Sequence, residues 1–562
     1  MTIPIVVICD SKNILSVAVT IFSLLNTQKV GVSYKVYVLG YALSYKQIDF
    51  LKKVTSQLAP LKFIDCSSIN LKHINRWENI QQFSSTSSIL KFYIPEVVRE
   101  TKVICLCEDS VVINDLSKVY KEDISGVYAI TCQAPENINR EHGSIVNFLD
   151  SSIVLLNLTL LRQDKIFSNL FNFKLKNPNI TRTDFDELNS VIKDKTKPFP
   201  HQYCFFSTDA CQHNKYLRNI NLKANYFKCH QLETKTAVIH YLSKEKMWEN
   251  PDIPFLSLWF NFARKLPRIA PIAITLTSYP ARIKKVNEVI HSLLQQTLTP
   301  NKIILWLAES QFPGGFRSLP QQLTSIVSDT FEIRWTDDLR SFKKLLPSLT
   351  EFKDYILVTA DDDILYPKTW LEKLYLSYLA NVNDRIVWCH RAHVIETTVR
   401  SVLPYSRWPK CIYYADSPSF RLFCTTGGGV LYPPNCFSNE VFNPKYASIT
   451  PTCDDIWFHA MLVLNNYKVG LVPKPFVQIE VIESTQSETL FQKNNAEGGN
   501  DACLEKLFLE YPEIKFKIIK TPKPKYQYDK SLVNSAIRKF LFSTRHFLKR
   551  LLFVFFPVSK KR

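Results

Sequence analysis

Residues 355–370, YILVTADDDILYPKTW, constrain the fold more than any other stretch: an unbroken apolar run stops on three carboxylates, Asp361, Asp362 and Asp363. Tyr355 to Val358 are bulky, β-favouring residues without alternation, the pattern of a strand covered on both faces in a parallel sheet. In open α/β sheets the ligand crevice lies just outside the carboxyl ends of such strands, so the aspartates fall where a substrate binds. While the chain stays extended its side chains alternate, which sends Asp361 and Asp363 one way and Asp362 the other. Three adjacent negative charges repel, and a hard divalent cation that takes carboxylate and phosphate oxygens together relieves the repulsion. The competing reading is a solvated acidic turn that caps a helix starting near Pro367.

A chain of 562 residues exceeds one core; at about 100–200 residues per domain it predicts two large domains with extensions. The formal charge of +19 implies an anionic partner: nucleotide phosphates, an anionic membrane face or nucleic acid. The fourteen cysteines include no C-x-x-C pair, which argues against a zinc site or a small disulfide scaffold. The opening MTIPIVVICD enters a strand at once, without a basic region, long apolar core or cleavage site, so an intracellular, reducing location is expected.

In the first half, strands are expected at Ile3–Cys9, Tyr34–Leu39, Leu61–Asp65 and Lys102–Leu106, with helices at Leu15–Leu25 and Tyr45–Val54. Strands alternating with helices argue for a parallel, doubly wound sheet. The succession IVVICDSKN, LKFYIPEVV, KVICLCEDSVVINDL, FLDSSIVLLNL, TDFDELN, IHYLSKEKMW resembles glycosyltransferase family 8, retaining enzymes of GT-A fold, over about 245 residues. The resemblance implies a metal motif Asp-x-Asp where this chain has Cys107, Glu108 and Asp109, and an Arg where it has Lys91. A neutral thiol is a weak substitute for a carboxylate toward a hard cation. The family's Asp-Gln-Asp is Asp184, Phe185 and Asp186, and its terminal His is His240. The first half is therefore expected to keep the fold with altered chemistry, its residual site being Asp10, Lys91, Asp109, Asp186 and His240.

Between about 250 and 270 a proline-rich stretch reads as a linker with a short helix, after which the same grammar restarts. Strands are expected at Ile272–Leu276, Lys302–Leu307 and Glu332–Trp335, and helices at Val286–Gln295 and Ser341–Leu349. Their ends deliver Thr277, Ser278 and Arg282, then Asp337 and Asp338, then the aspartate triplet. Downstream, His390 and His393 lie in a polar WCHRAH run, read equally as core histidines or as site groups. Thr425–Gly429, TTGGG, holds three of only twelve glycines and marks close backbone approach to a ligand, or a mobile loop. Asp454 and Asp455 precede an apolar helix; one is expected to be its N-cap, leaving the other to act as a base.

The set LTSYPARI, QTLTPNKIILWLAE, DDLRSFKKLLPSL, TADDDILYPKTWLEKLY, HRAH, TTGGGVLYPP, DDIW and GGND resembles bacterial family-2-like glycosyltransferases of GT-A fold found with surface polysaccharide synthesis, over about 271–515. What that resemblance implies is specific. Asp361 and Asp363 hold a divalent metal, Mn2+ or Mg2+, on a sugar-nucleotide diphosphate, and Asp454 or Asp455 is the base of an inverting transfer. Thr277, Arg282, Asp337, Asp338, Lys343, Asp361, Asp362, Gly427, Gly428 and Gly429 line the donor site.

After Asp529 the chain carries no acid, and apolar residues at helical spacing alternate with Lys and Arg. Its longest apolar run, Leu551 to Val558, is far short of the roughly 20 residues that span a bilayer. A basic amphipathic helix lies instead in the interface of an anionic membrane. No nucleic-acid-binding fold accompanies the charge. The sequence thus predicts an α/β protein: two tandem GT-A, Rossmann-like domains with mainly parallel sheets (1–250 and 271–520), a linker (251–270) and a basic amphipathic helical tail (521–562). The expected partners are a nucleotide-sugar donor, a glycan or lipid-linked acceptor and the inner face of the cytoplasmic membrane, without nucleic acid.

Overall fold

The computed structural model describes residues 1–55, 61–66, 90–133, 149–166, 169, 195–200, 203–207, 236–241, 247, 253, 255–476, 480–482 and 498–528. The chain divides into two compact units, Met1–Ile269 with Leu379–Asn383, and Ala270–Tyr378 with the residues from Asp384 onward.

Unit 1 runs β1 (Thr2–Cys9), α1 (Ile14–Asn26), β2 (Ser33–Gly40), α2 (Tyr45–Thr55), β3 (Leu61–Asp65), β4 (Lys102–Leu106), β5 (Ser110–Val112), β6 (Ala129–Gln133), β7 (Leu149–Asn157), β8 (Thr196–Pro198), β9 (Cys204–Phe206), β10 (Val238–His240) and α3 (Leu256–Ala263). Among the described residues its main sheet has the order β3-β2-β1-β4-β7-β6-β8, and a small sheet the order β5-β10-β9. β1 to β4 are parallel neighbours, β7 is antiparallel to both β4 and β6, and β8 is parallel to β6. The helix expected in the linker is α3, which buries Trp259 and sets Phe262 edge-on to Phe22 of α1.

Unit 2 repeats this plan. Its strands are β11 (Ile272–Thr277), β12 (Lys302–Ala308), β13 (Phe331–Thr336), β14 (Ile356–Thr359), β15 (Ile364–Leu365), β16 (Ile386–Cys389), β17 (Ala392–Val394), β18 (Tyr414–Ala415), β19 (Leu422–Cys424), β20 (Val430–Tyr432), β21 (Lys468–Leu471), β22 (Glu480–Val481) and β23 (Tyr526–Gln527). Its longer helices include α4 (Val286–Leu294), α6 (Trp370–Ala380), α7 (Asp454–Leu464), α8 (Gly499–Glu510) and α9 (Pro512–Lys520), with the short α5 (Leu346–Glu351) between β13 and β14. Among the described residues the main sheet has the order β13-β12-β11-β14-β20-β16-β21. Here too β20 is antiparallel to both its neighbours and the last strand is parallel to the one before it. The same sheet plan has therefore been built twice from sequences without obvious repetition.

The apolar runs follow from burial on both faces: every residue of β14 is buried, as is all of β12 after Lys302. α4 turns Val286, Val289, Ile290 and Leu293 inward at the i, i+3, i+4, i+7 spacing of an amphipathic helix. Two expectations fail for local reasons. The single helix expected over 341–349 is a 3₁₀ turn, Arg340–Lys344, followed by α5. Leu345 breaks the run at φ −130°, ψ −43°, and Pro347 is tolerated because it falls in the first turn of the new helix. The helical tail expected from 521 does not begin there, since β23 is extended and pairs antiparallel with β18. Residues 529–562 lie outside the described residues. Among those described, no helix is long and apolar enough to cross a membrane.

Candidate functional site

β14 ends at Thr359, and the chain turns at Asp362 and Asp363 before entering β15. That turn overturns the expected alternation. Asp362 and Asp363 lie together on Arg282, whose Nη1 is 2.9 Å from Asp362 Oδ1 and 2.9 Å from Asp363 Oδ2, while Asp361 goes elsewhere. Ser278 Oγ donates to Asp362 Oδ2 at 2.6 Å. Burial pushes the Asp362 carboxyl up, with Arg282 and the Ser278 hydrogen bond opposing it. Burial also works against the Arg282 charge, but Asp362 and Asp363 more than compensate and hold it firmly protonated.

Asp361 pairs with Lys344, Nζ to Oδ1 at 2.9 Å. Lys344 is buried, and the same ammonium lies 3.3 Å from Asp454 Oδ2 and donates to Thr426 Oγ1 at 2.9 Å. Thr426 in turn donates both its hydroxyl, at 2.6 Å, and its backbone N–H, at 2.9 Å, to Asp455 Oδ1. One buried cation thus joins carboxylates from two segments far apart in sequence. Burial disfavours its charge, yet Asp361, Asp454 and Asp455 hold the Lys344 amine well above its ordinary range. Burial would likewise raise Asp361, but Lys344 overrides it and keeps the carboxyl below the usual range. Asp455 is pushed up to about 6, first by burial and then by Asp454. The lysine is positioned by a buried chain: Trp306 Nε1–H donates to Ser348 Oγ at 2.7 Å, Ser348 meets Thr275 Oγ1 at 2.7 Å, and Thr275 donates to the Lys344 carbonyl.

The TTGGG run is neither strand nor open loop; Thr426–Gly428 form a buried 3₁₀ turn. Close approach is the reason for its glycines, and the groups approached include the protein's own. A Cβ on Gly427 would overlap Asp361 Oδ2 and lie 2.9 Å from its Cγ, and one on Gly428 would lie 2.5 Å from Arg391 Cβ. Gly429 has φ +100°, with Trp370 Cε2 2.6 Å from where its Cβ would be. Tyr366 locks the turn to the acidic corner, its hydroxyl accepting from Asp361 N–H at 2.8 Å and donating to the Gly427 carbonyl at 2.8 Å.

Other expected site residues are more dispersed. Thr277 donates its hydroxyl to the Trp306 carbonyl on the neighbouring strand at 2.8 Å. Asp337 is exposed. Asp338 pairs with the buried Lys343 at 2.7 Å and accepts from Gln311 at 2.9 Å. Lys343 therefore faces Asp338 while its neighbour Lys344 faces the acid cluster. Neither Asp454 nor Asp455 is the N-cap of α7: Cys453 holds that position, and both aspartates lie in the first turn. His390 is a core residue, donating Nε2–H to the Trp370 carbonyl at 2.9 Å and accepting the Phe476 N–H on Nδ1 at 3.2 Å. Burial lowers both His390 and His393 to about 3.

Unit 1 carries the same corner between β4 and β5. The Asp109 carbonyl accepts from Tyr241 N–H at 2.9 Å, as the Asp363 carbonyl accepts from Ile482 N–H at 2.8 Å. This equivalence pairs Cys107 with Asp361, Asp109 with Asp363, and His240 with Val481. His240 stands opposite Ser110 across the β5–β10 ladder and bonds its hydroxyl through Nδ1 at 3.2 Å. Burial, then Glu108 and Asp109, raise the Cys107 thiol well above its ordinary value, with Lys91 opposing. Asp10 accepts the backbone N–H groups of Lys12 at 2.8 Å and Asn13 at 3.1 Å, shaping the turn into α1. Asp186 lies outside the described residues.

Sequence reasoning missed Lys344, Thr426 and Tyr366. A signal for Lys344 was present: five aspartates converging on one site need a buried cation, and the FKK run supplies two candidates on different sides of a tight turn.

Residues 4–251 match the sequence model of Glycosyl transferase family 8. Glycosyltransferase GlyE of Streptococcus pneumoniae serotype 4 (strain ATCC BAA-334 / TIGR4) is 23% identical over 202 residues, 36% of this chain and 47% of that protein. The chain thus spans about half the length of the curated relative it matches. Among solved structures, the apo bifunctional glycosyltransferase WbbM is similar at TM-score 0.38 and 19% identity, over 47% of this chain and 50% of that one. Galactosyltransferase LgtC in complex with donor and acceptor sugar analogs is similar at TM-score 0.37 and 18% identity, over 47% and 97%. The family match covers the N-terminal region and ends before unit 2.

Proposed function

We propose that this protein is a glycosyltransferase whose unit 2 moves a sugar from a nucleotide-sugar donor to a glycan or lipid-linked acceptor in surface polysaccharide synthesis. The observation that carries the reading is the convergence of Asp361, Asp362, Asp363, Asp454 and Asp455 on Lys344, Arg282 and the Thr426–Gly428 turn, outside the carboxyl end of β14. The family-8 match of unit 1 and the repeated sheet plan support sugar transfer; the family-2-like resemblance of unit 2 supports an inverting course.

The donor set fits a divalent cation of the Mn2+ or Mg2+ kind. Among the described residues no cluster of three or more Asp, Glu, His or Cys holds a metal by itself. Such ions are commonly bound through one or two carboxylates and complete their shell with substrate phosphates and water. Asp361 and Asp363 would be those carboxylates, each held by its own cation, Lys344 and Arg282, and Asp361 Oδ2 packs against Gly427 in the space a Cβ would fill. Such an ion would supply Lewis-acid stabilisation of the leaving-group charge. The protein's own part is positional and acid–base. Lys344 and Thr426 fix Asp361 relative to Asp455, and Arg282 keeps Asp362 and Asp363 in place. Asp455, raised toward neutral pH, accepts the proton of the acceptor hydroxyl as it attacks the sugar carbon, and Asp454 anchors Lys344. A basic tail at an anionic membrane on the cytoplasmic side would bring the enzyme to a lipid-linked acceptor.

Thermal unfolding of the full chain with sugar nucleotides, with and without Mn2+, tests this. Metal-dependent stabilisation is expected in the wild type and lost in Asp361→Ala and Asp363→Ala; stabilisation that survives both substitutions refutes the site. A second reading, in which unit 1 also transfers, rests on Asp109, immediately before β5, lying beside the β10 end that carries His240. Transfer assays of the Asp109→Ala, His240→Ala double variant separate the two: a loss as large as that of Asp361→Ala makes unit 1 catalytic.

A further inference from the structure

The residue immediately before the two acids of α7 is a cysteine, and its sulfur touches another. Cys503 Sγ lies 3.3 Å from Cys453 Sγ, both side chains buried in the core of unit 2. Cys453 caps α7, its carbonyl accepting the N–H of Ile456 at 3.1 Å and of Trp457 at 3.4 Å. Cys503 lies on α8. We propose that Cys453 and Cys503 are an oxidisable dithiol whose disulfide displaces Asp454 and Asp455, making the acidic site of unit 2 responsive to peroxide. The regulatory half of this inference rests on the sugar-transfer reading; the modification itself does not.

The geometry favours bond formation. A disulfide needs the sulfurs at about 2.05 Å, so they must approach by about 1.2 Å, a movement within reach of neighbouring helices. The pair also divides its acidity: the contact between the two sulfurs holds the Cys503 thiol below its ordinary value and, with burial, raises Cys453, so Cys503 is the nucleophile. Hydrogen peroxide supplies the oxidising equivalents. The Cys503 thiolate attacks one peroxide oxygen, the O–O bond breaks, and hydroxide leaves, giving a sulfenic acid at Cys503. Cys453 then loses its proton, its sulfur attacks Cys503 Sγ, and the sulfenic hydroxyl departs with that proton as water. Two electrons pass from the two sulfurs to the peroxide, and a dithiol reductant returns them.

The consequence follows from covalent adjacency. Asp454 is bonded to Cys453 and lies 3.3 Å from the Lys344 ammonium; Asp455 holds Thr426 at 2.6 Å. Drawing the start of α7 toward α8 disturbs both contacts, and misplacement by about 1 Å in such a site costs on the order of 100-fold in rate.

The full chain, treated with hydrogen peroxide and alkylated, is mapped without reduction, and hydrogen exchange of 454–464 is compared between the two forms. A Cys453–Cys503 linked peptide that dithiothreitol removes, with altered exchange in that helix, is the expected result; Cys503→Ser shows neither. Nucleotide-sugar binding with Mn2+, followed by thermal shift, should weaken by about 10-fold or more on oxidation of the wild type and stay unchanged in Cys503→Ser. Thiols that remain unlinked overturn the proposal, as does a linked peptide with unchanged exchange in 454–464. A linked peptide with altered exchange, where neither form binds nucleotide sugar, upholds the modification and overturns the sugar-transfer reading instead.

Discussion

Replacing Asp455 with Asn isolates the electrostatics of the site without needing a substrate. In the folded protein the Asp455 carboxyl is pushed up to about 6 from its ordinary 3.8, by burial and by Asp454. Between those two values the folded state holds a proton that the unfolded state has released, so wild-type stability falls as pH rises through that window. Below about pH 4 the contribution is fully present, and above about pH 6 it is lost. Two pH units correspond to about 3 kcal/mol. Asn keeps an oxygen that accepts from the Thr426 hydroxyl and N–H but carries no charge, so the variant mimics the protonated acid at every pH. The expected outcome is that Asp455→Asn gains on the wild type as pH is raised from 4 to 7, and levels off above that. For a unit of this size about 3 kcal/mol corresponds to roughly 6–12 °C in the unfolding temperature. Tryptophan fluorescence is a suitable probe, because Trp306, Trp370 and Trp457 are fully buried in unit 2. A difference in unfolding temperature that is flat across this range, or that shrinks as pH rises, refutes the reasoning that Asp455 is held as a weak acid.

Lys344→Met leaves Asp361 and Asp454 without their shared cation, and removal of one partner from a buried ion pair costs about 3–5 kcal/mol; chemical denaturation at pH 7 should show a loss of that order, diminishing as acid protonates the aspartates. Gly427→Ala places a methyl group on Asp361, so metal-dependent nucleotide binding should fall by at least about 10-fold while the circular dichroism spectrum is retained; wild-type binding would show that Asp361 is not a ligand where it stands.

Much of the architecture was legible because burial on both faces leaves a mark in the sequence. β1, β4, β11 and β14 are apolar runs, and the acids that follow β14 stop it abruptly. The family-8 likeness of the N-terminal region was legible in the order of its motifs, and the family match covers 4–251. What the sequence by itself determined was the set of strands, their spacing, and the presence of carboxylates at two strand and helix ends. Which carboxylates meet was decided elsewhere. Periodicity assumes a regular backbone, and the turn at Asp362–Asp363 ended that regularity, so Asp362 joined Asp363 on Arg282 while Asp361 crossed to Lys344. The choice between Lys343 and Lys344 depended on a 3₁₀ turn too short to announce itself. The same holds for the glycines after Thr426, whose need for space arises from Asp361, Arg391 and Trp370, residues 36 to 66 positions away in the chain. Local pattern reports what a residue does to its own segment; charge pairing and close contact across segments exist only once the sheet has brought those segments together.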